Sequence, residues 1–322
     1  MKLRCERDVL VETLSSASRA VAGRTGALPV LLGVRIQVVG DVLRVTGTDL
    51  DLTITSETVV GTGEDGVVVV PGRLITDVVR SLEPGAVTLD GDDSELRITG
   101  GRSSFGIRVL PAGDYPRVST HDEPGVTLHA EGLAVALRQV VRAASSEEAR
   151  PILTGVLLVA EGSGMRMVAT DSYRLAVRDL PGVGVLPEGG KVLVPSRALM
   201  ELQRLLGESE EVEVSLSTNE ATFKVGSVAL TTRLIEGEFP DYRSLIPASY
   251  PNQLVVGREP LLDAVRRVKL LAREPTTPVR LAVQPGRVEL TVTTTDWGTA
   301  TEDLDADYQG ADMTVAFNPT YL

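Results

Sequence analysis

The side chains of this 322-residue chain whose types and spacing could do chemistry are carboxylates, arginines and two histidines. The sharpest pattern is a triplicated aspartate. Asp171 stands in MVATDSYRLAV, Asp49 in VTGTDLDLTI and Asp296 in TVTTTDWGTA, 122 and 125 residues apart. Converging carboxylates could hold two metal ions ~3.5–4 Å apart for hydrolytic chemistry. Spread along the chain at nearly one period, they read instead as an internal repeat. A Thr-Asp pair between alternating apolar residues reads as a side-chain-to-backbone turn joining two strands. His121 and His129, with the single Cys5, are too few for a zinc site or a nucleophilic triad. There is no GxxxxGK[ST] phosphate loop. No metal, no cofactor and no catalysis are expected.

The arginines form a second pattern. Arg73 and Arg80 lie two helical turns apart on one face, and Arg197 and Arg204 repeat that relation 124 residues later. Arg138 and Arg142 share a face at i,i+4. One reading pairs these arginines with Asp77 and Glu201 at i,i+4 in exposed salt bridges worth a few tenths of a kcal/mol. The other is a helical surface that touches a phosphate backbone without reading bases. The chain's net charge of −12 argues against a nucleic-acid binder when taken whole, but its distribution does not. The five helical segments carry a net +3, which leaves −15 on strands and loops.

These residues must be positioned by repeated elements. Each unit reads as strand, helix, strands, helix, strands, with local antiparallel connections: α+β, not alternating βαβ. The first helix spans Asp8 to Ala22 with Asp8 as N-cap and Leu10, Leu14, Ala17 and Val21 on one face; Gly23 to Gly26 end it. VLLGVRIQVV, VLRVTGTDL and LTITSETVV are strands. A second helix follows Pro71, with Leu74, Val78 and Leu82 aligned. Unit two repeats the order, with helices from Glu131 to Ser145 and after Pro195, which lies 124 residues beyond Pro71. Unit three begins at LVVG, with a helix from Glu259 to Ala272. The expected domains are 1–120, 124–247 and 252–322, joined by turn-rich linkers at 118–125 and 246–253. By the period, unit three stops where its second helix would begin. It is therefore expected to be incomplete and loosened, with Leu261, Val265 and Val268 partly uncovered. Aromatics are 3% of the chain, so the cores must rest on Val, Leu, Ile and Ala. One cysteine fits a reducing compartment, and no apolar run approaches the ~18 residues of a membrane span. A cytoplasmic protein is expected.

Together LTGVLLV with VATDSYRLAV, GTDLDL, VPGR, VPSRALMEL, LPAGDYP, LIEGEFPDYRSLIP and the final FNPTYL are specific. Over its whole length the chain resembles the bacterial sliding clamps, the beta subunits of DNA polymerase III. The resemblance implies three clamp-type domains per subunit in a head-to-tail homodimeric ring. Helices line the hole, antiparallel sheets lie outside, and double-stranded DNA is held without sequence preference. It implies a non-catalytic processivity factor of DNA replication, nucleoid-associated while replication proceeds. Its implied partners are the polymerase III alpha subunit, the clamp loader and other proteins with clamp-binding motifs.

The DNA contacts implied by the resemblance are Arg24, Arg73, Arg150, Ile152 and Arg197. The partner-peptide pocket, between domains two and three, maps to Leu153, Thr170, Ser172, Tyr173, Arg174, Leu175, Pro240, Ser244 and Leu245. Here Ser172-Tyr173 replaces a Gly-His pair and Ser244 an Arg. The dimer interface maps to Phe105 and Ile107 against Leu270 and Leu271. A peptide-binding paralogue that does not close around DNA is the alternative.

Overall fold

A computed structural model describes residues 1–23, 28–61, 63–118, 125–207, 209–274 and 276–322. Repeat one contains β1 (Lys2–Glu6), α1 (Arg7–Ser18), β2 (Gly33–Val39), β3 (Val42–Thr48), β4 (Leu52–Val59) and β5 (Gly66–Pro71), then α2 (Gly72–Ser81), β6 (Ala86–Gly91), β7 (Glu95–Gly100) and β8 (Ser103–Arg108). Repeat two contains β9 (Val126–His129), α3 (Ala130–Val140), β10 (Gly155–Glu161), β11 (Gly164–Thr170), β12 (Leu175–Leu180) and β13 (Lys191–Pro195), then α4 (Ser196–Leu206), β14 (Glu211–Leu216), β15 (Glu220–Val225) and β16 (Val228–Arg233). The third repeat contains β17 (Gln253–Val255), α5 (Arg258–Val268), β18 (Val279–Gln284), β19 (Gly286–Thr294), β20 (Gly298–Gln309) and β21 (Met313–Phe317).

Three repeats form two compact units, Met1–Phe239 and Pro240–Leu322. The larger unit holds repeats one and two because a sheet crosses between them. β4 pairs antiparallel with β16, making one eight-stranded sheet in the order β5-β2-β3-β4-β16-β15-β14-β9. Two four-stranded sheets, β1-β6-β7-β8 and β12-β11-β10-β13, complete that unit. One face of the long sheet is apolar. Val34, Ile54, Leu230 and Phe223 lie along one cross-strand row, each 0–2% exposed. The core of repeat two therefore includes Ala20, Leu52 and Ile54 of repeat one. Within that row Gly47 is obligatory, since a Cβ there would sit 2.0 Å from the Ala17 carbonyl oxygen of α1.

The helices form where their apolar stripes meet these sheets, and they differ in detail from the sequence expectation. In α1, Leu10, Leu14 and Ala17 are fully buried as expected. Glu6 occupies the cap position without a side-chain hydrogen bond, however, and Asp8 lies in the first turn, paired with Arg7 at 2.6 Å. In α2 the buried stripe is Gly72, Ile75, Thr76 and Val79, while Leu74 is half exposed. Of the expected Leu74–Val78–Leu82 line, Leu82 is buried and Val78 packs against the same core, and only Leu74 is turned out. Pro29–Leu32 and Pro151–Thr154 are 3-10 turns leading into β2 and β10, and α3 and α5 end early in 3-10 turns at Val141–Ala143 and Lys269–Leu271.

The smaller unit folds α5 onto a five-stranded sheet, β17-β20-β19-β18-β21. Val265 and Val268 are 4% and 1% exposed, and Leu261 packs against the same core. The expected uncovering of this face is not observed, because Val288, Leu290, Val292 and Tyr308 of β19 and β20 cover it.

Candidate nucleic-acid interface

The repeated arginines begin at two equivalent helix starts. Pro71 and Pro195 precede α2 and α4 with φ of −52° and −53°, placing Arg73 and Arg197 in the first turn. A cation there opposes the helix dipole, at about 0.3–1 kcal/mol. The same first turn presents unpaired N–H groups that favour an anion. A placement that disfavours the isolated helix and recurs at both starts suits a surface that receives phosphate. Arg73, Arg80, Arg138, Arg142, Arg197 and Arg204 are all exposed. Apolar side chains of the same helices face the sheets, so the arginines stand on the outward sides.

The expected i,i+4 salt bridges do not form. Asp77 pairs with Arg80 at 3.5 Å and Glu201 with Arg204, both at i,i+3. Arg73 has no ion-pair partner among the described residues. Arg197 donates from Nη1 to Asp49 Oδ2, the repeated aspartate of the other repeat. The sequence gives no sign of that partner, since 148 residues separate the two and no local spacing links them.

The aspartates are turn-formers in two copies. Asp49 Oδ1 accepts the N–H groups of Asp51 at 3.2 Å and Leu52 at 2.9 Å. Asp171 Oδ1 accepts those of Tyr173 and Arg174, both at 3.0 Å. Thr48 and Thr170 hydroxyls accept the Leu50 and Ser172 N–H groups at 3.1 Å, and both turns hold a positive φ, 86° at Leu50 and 76° at Ser172. The third copy differs: Thr294 Oγ1 accepts the Trp297 N–H at 3.2 Å and Gly298 supplies the positive φ, so the turn does not use Asp296.

The peptide-pocket residues of the larger unit gather at one end of the β10–β13 sheet. Leu153 is buried just ahead of β10, and Thr170 to Leu175 form the β11–β12 turn. Thr170 is buried, its hydroxyl donating to the Arg174 carbonyl at 2.7 Å. Arg174 Nε donates to Asp171 Oδ2 at 3.1 Å, Leu175 is half-buried and Tyr173 is 78% exposed. Arg150 joins this group, donating from Nη1 to Ser172 Oγ at 3.1 Å and from Nη2 to Glu147 at 2.8 Å. Ile152 is half-buried on the preceding turn. In the smaller unit Pro240 and Ser244 are exposed, Ser244 Oγ donates to the Asp241 carbonyl at 2.8 Å, and Leu245 is 64% exposed.

Arg24 lies outside the described residues, as does most of the 118–125 linker with His121. Phe105 is exposed on β8, whereas Ile107 belongs to the core of repeat one at 5% exposure and could meet a partner only through its edge-strand backbone. Leu270 is 74% exposed, but Leu271 packs against its own unit's core. No described helix is long and apolar enough to cross a membrane.

Comparison with known proteins gives consistent matches along the chain. Residues 1–119, 127–241 and 243–322 match the family models for the N-terminal, central and C-terminal domains of the DNA polymerase III beta subunit. A beta sliding clamp of Streptomyces coelicolor is 34% identical over 328 residues, covering 100% of this chain and 87% of the relative. The Caulobacter vibrioides beta sliding clamp is 34% identical over 341 residues, covering 100% and 89%. Among solved structures, a Bartonella birtlesii sliding clamp bound to griselimycin aligns at TM-score 0.90 and 31% identity, over 100% of this chain and 88% of that one. The Bacillus subtilis sliding clamp aligns at 0.88 and 30%, with the same coverage.

Proposed function

Because this chain belongs to the bacterial sliding clamps, the DNA polymerase III beta subunits, we propose that it encircles double-stranded DNA as a head-to-tail dimer and tethers the replicative polymerase to it. A clamp does no bond chemistry. It raises the effective concentration of its partner at the DNA by keeping the two together between catalytic cycles. The alternative of a paralogue that does not close around DNA is not favoured by the match to all three domain models.

The observation that carries the reading is the recurrence of Arg73 and Arg197 at equivalent helix starts, on the helix sides turned away from the sheets. Arginines held there contact phosphates, which are alike in every sequence, and do not reach base edges. Such contacts let a ring slide. Arg24 and Arg150 extend this set by family resemblance, Arg150 being also tied to the β11–β12 turn. The implied partners are the polymerase alpha subunit, the clamp loader and other proteins bearing a short apolar motif, in the cytoplasm. On the larger unit such a motif would dock on Leu153, Leu175 and the turn between Thr170 and Arg174.

Two measurements test this. Retention on nicked circular DNA, followed against salt, is expected to fall for Arg73→Ala with Arg197→Ala. The slope of log K against log salt should flatten by about 0.9 for each phosphate no longer neutralised. A marked preference among DNA sequences would contradict the reading. For the pocket, Leu175→Asp places an unpaired charge on an apolar wall. It should weaken binding of a fluorescent clamp-binding peptide by at least about tenfold, or ~1.4 kcal/mol. Unchanged anisotropy titrations would remove Leu175 from the pocket.

A further inference from the structure

The long sheet has a second face, turned away from the helices, and its centre carries an unbalanced set of charges. One cross-strand row runs Arg35, Thr46, Thr55, Ala229, Lys224 and Glu213. The next runs Gln37, Arg44 and Glu57. A solvent-facing antiparallel sheet ordinarily settles its charges in opposite-sign cross-strand pairs, because like charges facing one another destabilise it. Arg44 follows that rule, donating from Nε to Glu57 at 2.6 Å. Lys224 follows it loosely: its Nζ is 3.8 Å from a Glu213 oxygen that also accepts the Gly125 N–H at 2.9 Å. Arg35 does not follow it. Its Nη1 donates to the neutral Gln37 amide oxygen at 2.7 Å, and no carboxylate among the described residues pairs with it. Arg44 stands on the diagonal from Arg35 in the next row. Burial holds the Arg35 guanidinium below its ordinary pKa; the Tyr115 phenol opposes that shift and the Arg44 charge adds to it.

The segment from Val109 to Val118 roofs this row. The Leu110 N–H donates to the Val69 carbonyl at 2.7 Å. Tyr115 is buried with Val30, Leu31 and Val69, and its hydroxyl donates to the Thr46 carbonyl at 2.9 Å. Roof and sheet border an open cleft of about 670 Å³. Small-molecule sites typically measure ~300–1,000 Å³. Its charged lining is Arg35, Arg44, Arg117 and Lys224 against Glu57 alone, a net of +3 inside a chain of net −12. The threonine hydroxyls of both repeats line the same floor.

We propose that this cavity binds a small phosphorylated molecule, with its phosphate oxygens on Arg35 and Arg44, which stand on adjacent strands, and its remainder along the threonine floor towards Lys224. Guanidinium groups present paired N–H donors that match phosphate oxygens. Arg35 lacks the counter-charge that its neighbours have, and a phosphate would supply it. That volume accommodates a nucleotide-sized ligand. The ligand would bridge β2 and β3 of repeat one to β15 of repeat two, so occupancy also ties the two repeats together. The site lies on the sheet face opposite the basic helices and does not depend on the clamp reading.

The test is calorimetric titration of the full chain with inorganic pyrophosphate, against chloride at matched ionic strength. Saturable binding at one site is expected. Arg35→Met and Arg44→Met, on neighbouring strands, should each weaken it by at least about tenfold, or ~1.4 kcal/mol. Arg178→Met, an exposed arginine on β12, should leave it unchanged. If Arg35→Met unfolds, as circular dichroism would reveal, Arg44→Met decides. No saturable binding into the millimolar range, undiminished binding in Arg44→Met, or binding lost instead in Arg197→Met on the helix side would each overturn the proposal.

Discussion

At the scale of single residues, Asp49 does two jobs with its two oxygens. Oδ1 holds the β3–β4 turn through two backbone N–H groups, and Oδ2 receives Arg197. Asp49→Asn separates them, because an amide keeps one acceptor oxygen and replaces the other by a donor. The exposed ion pair contributes only about 0–1 kcal/mol, so thermal stability should change little. Arg197 is then free for phosphate, and the salt dependence of DNA binding should steepen by up to about 0.9 in slope. An unaltered slope would mean that Arg197 meets no phosphate. Asp92 offers a simpler titration. Its carboxylate accepts the Ser94 hydroxyl and the Ser94 and Glu95 N–H groups, which hold its pKa down to about 2. A group depressed in the folded state adds stability that is fully present above its unfolded pKa of ~3.9 and is lost as pH falls through about 2. A carboxyl titration followed by NMR should give that low midpoint, and Ser94→Ala should raise it.

At the scale of elements, the sequence reveals periods better than faces. The strand–helix–strand order and the 124-residue period are legible because alternation and helical spacing are local properties. The Thr-Asp turns are legible in two copies for the same reason. The α2 stripe is legible in part: Val78 and Leu82 meet the core, but Leu74 of the same line does not. The 3-10 turns ahead of β2 and β10 are hidden inside apolar runs. The Arg197–Asp49 pair, the Arg35 row and the interior place of Ile107 depend on long-range register, which a single sequence does not display. Gly47 shows what the fold adds. Its Cβ would meet α1 backbone at 2.0 Å, and that backbone cannot step aside as a side-chain end could. Gly47→Ala should therefore destabilise the chain by about 1–3 kcal/mol. Gly132 is exposed in α3, and a methyl group added there would have nothing within 4 Å. Gly132→Ala should show the opposite sign, a gain of up to about 1 kcal/mol. Urea titrations of both variants measure the contrast, and equal shifts would refute the α1–β3 contact as the cause.

At the scale of the molecule, the seam between β4 and β16 decides how the chain behaves as a whole. The sequence suggests three like units, each with its own core. Pairing across the seam instead gives repeats one and two a common sheet, and Ile54 and Leu52 of one repeat lie in the apolar cluster of the other. Ladder hydrogen bonds and apolar burial thus cross the boundary at the same place, so local opening on one side exposes surface on the other. Leu230 sits on β16 directly opposite Ile54 and is fully buried. Leu230→Ala leaves a cavity there and should cost about 2–5 kcal/mol. If the seam couples the repeats, that loss reaches both. Hydrogen exchange should quicken in β2, β3 and β4 as well as in β14, β15 and β16. Strands β18 to β20, which build a separate core with α5, should keep their protection. Exchange quickened only between Val126 and Arg233 would mean that the two repeats open independently in spite of the shared sheet. The coupling matters for a ring that must stay closed while it slides. A junction that opens only when two cores open has a higher barrier than one held by side-chain contacts alone, and the seam is where this chain places such a junction.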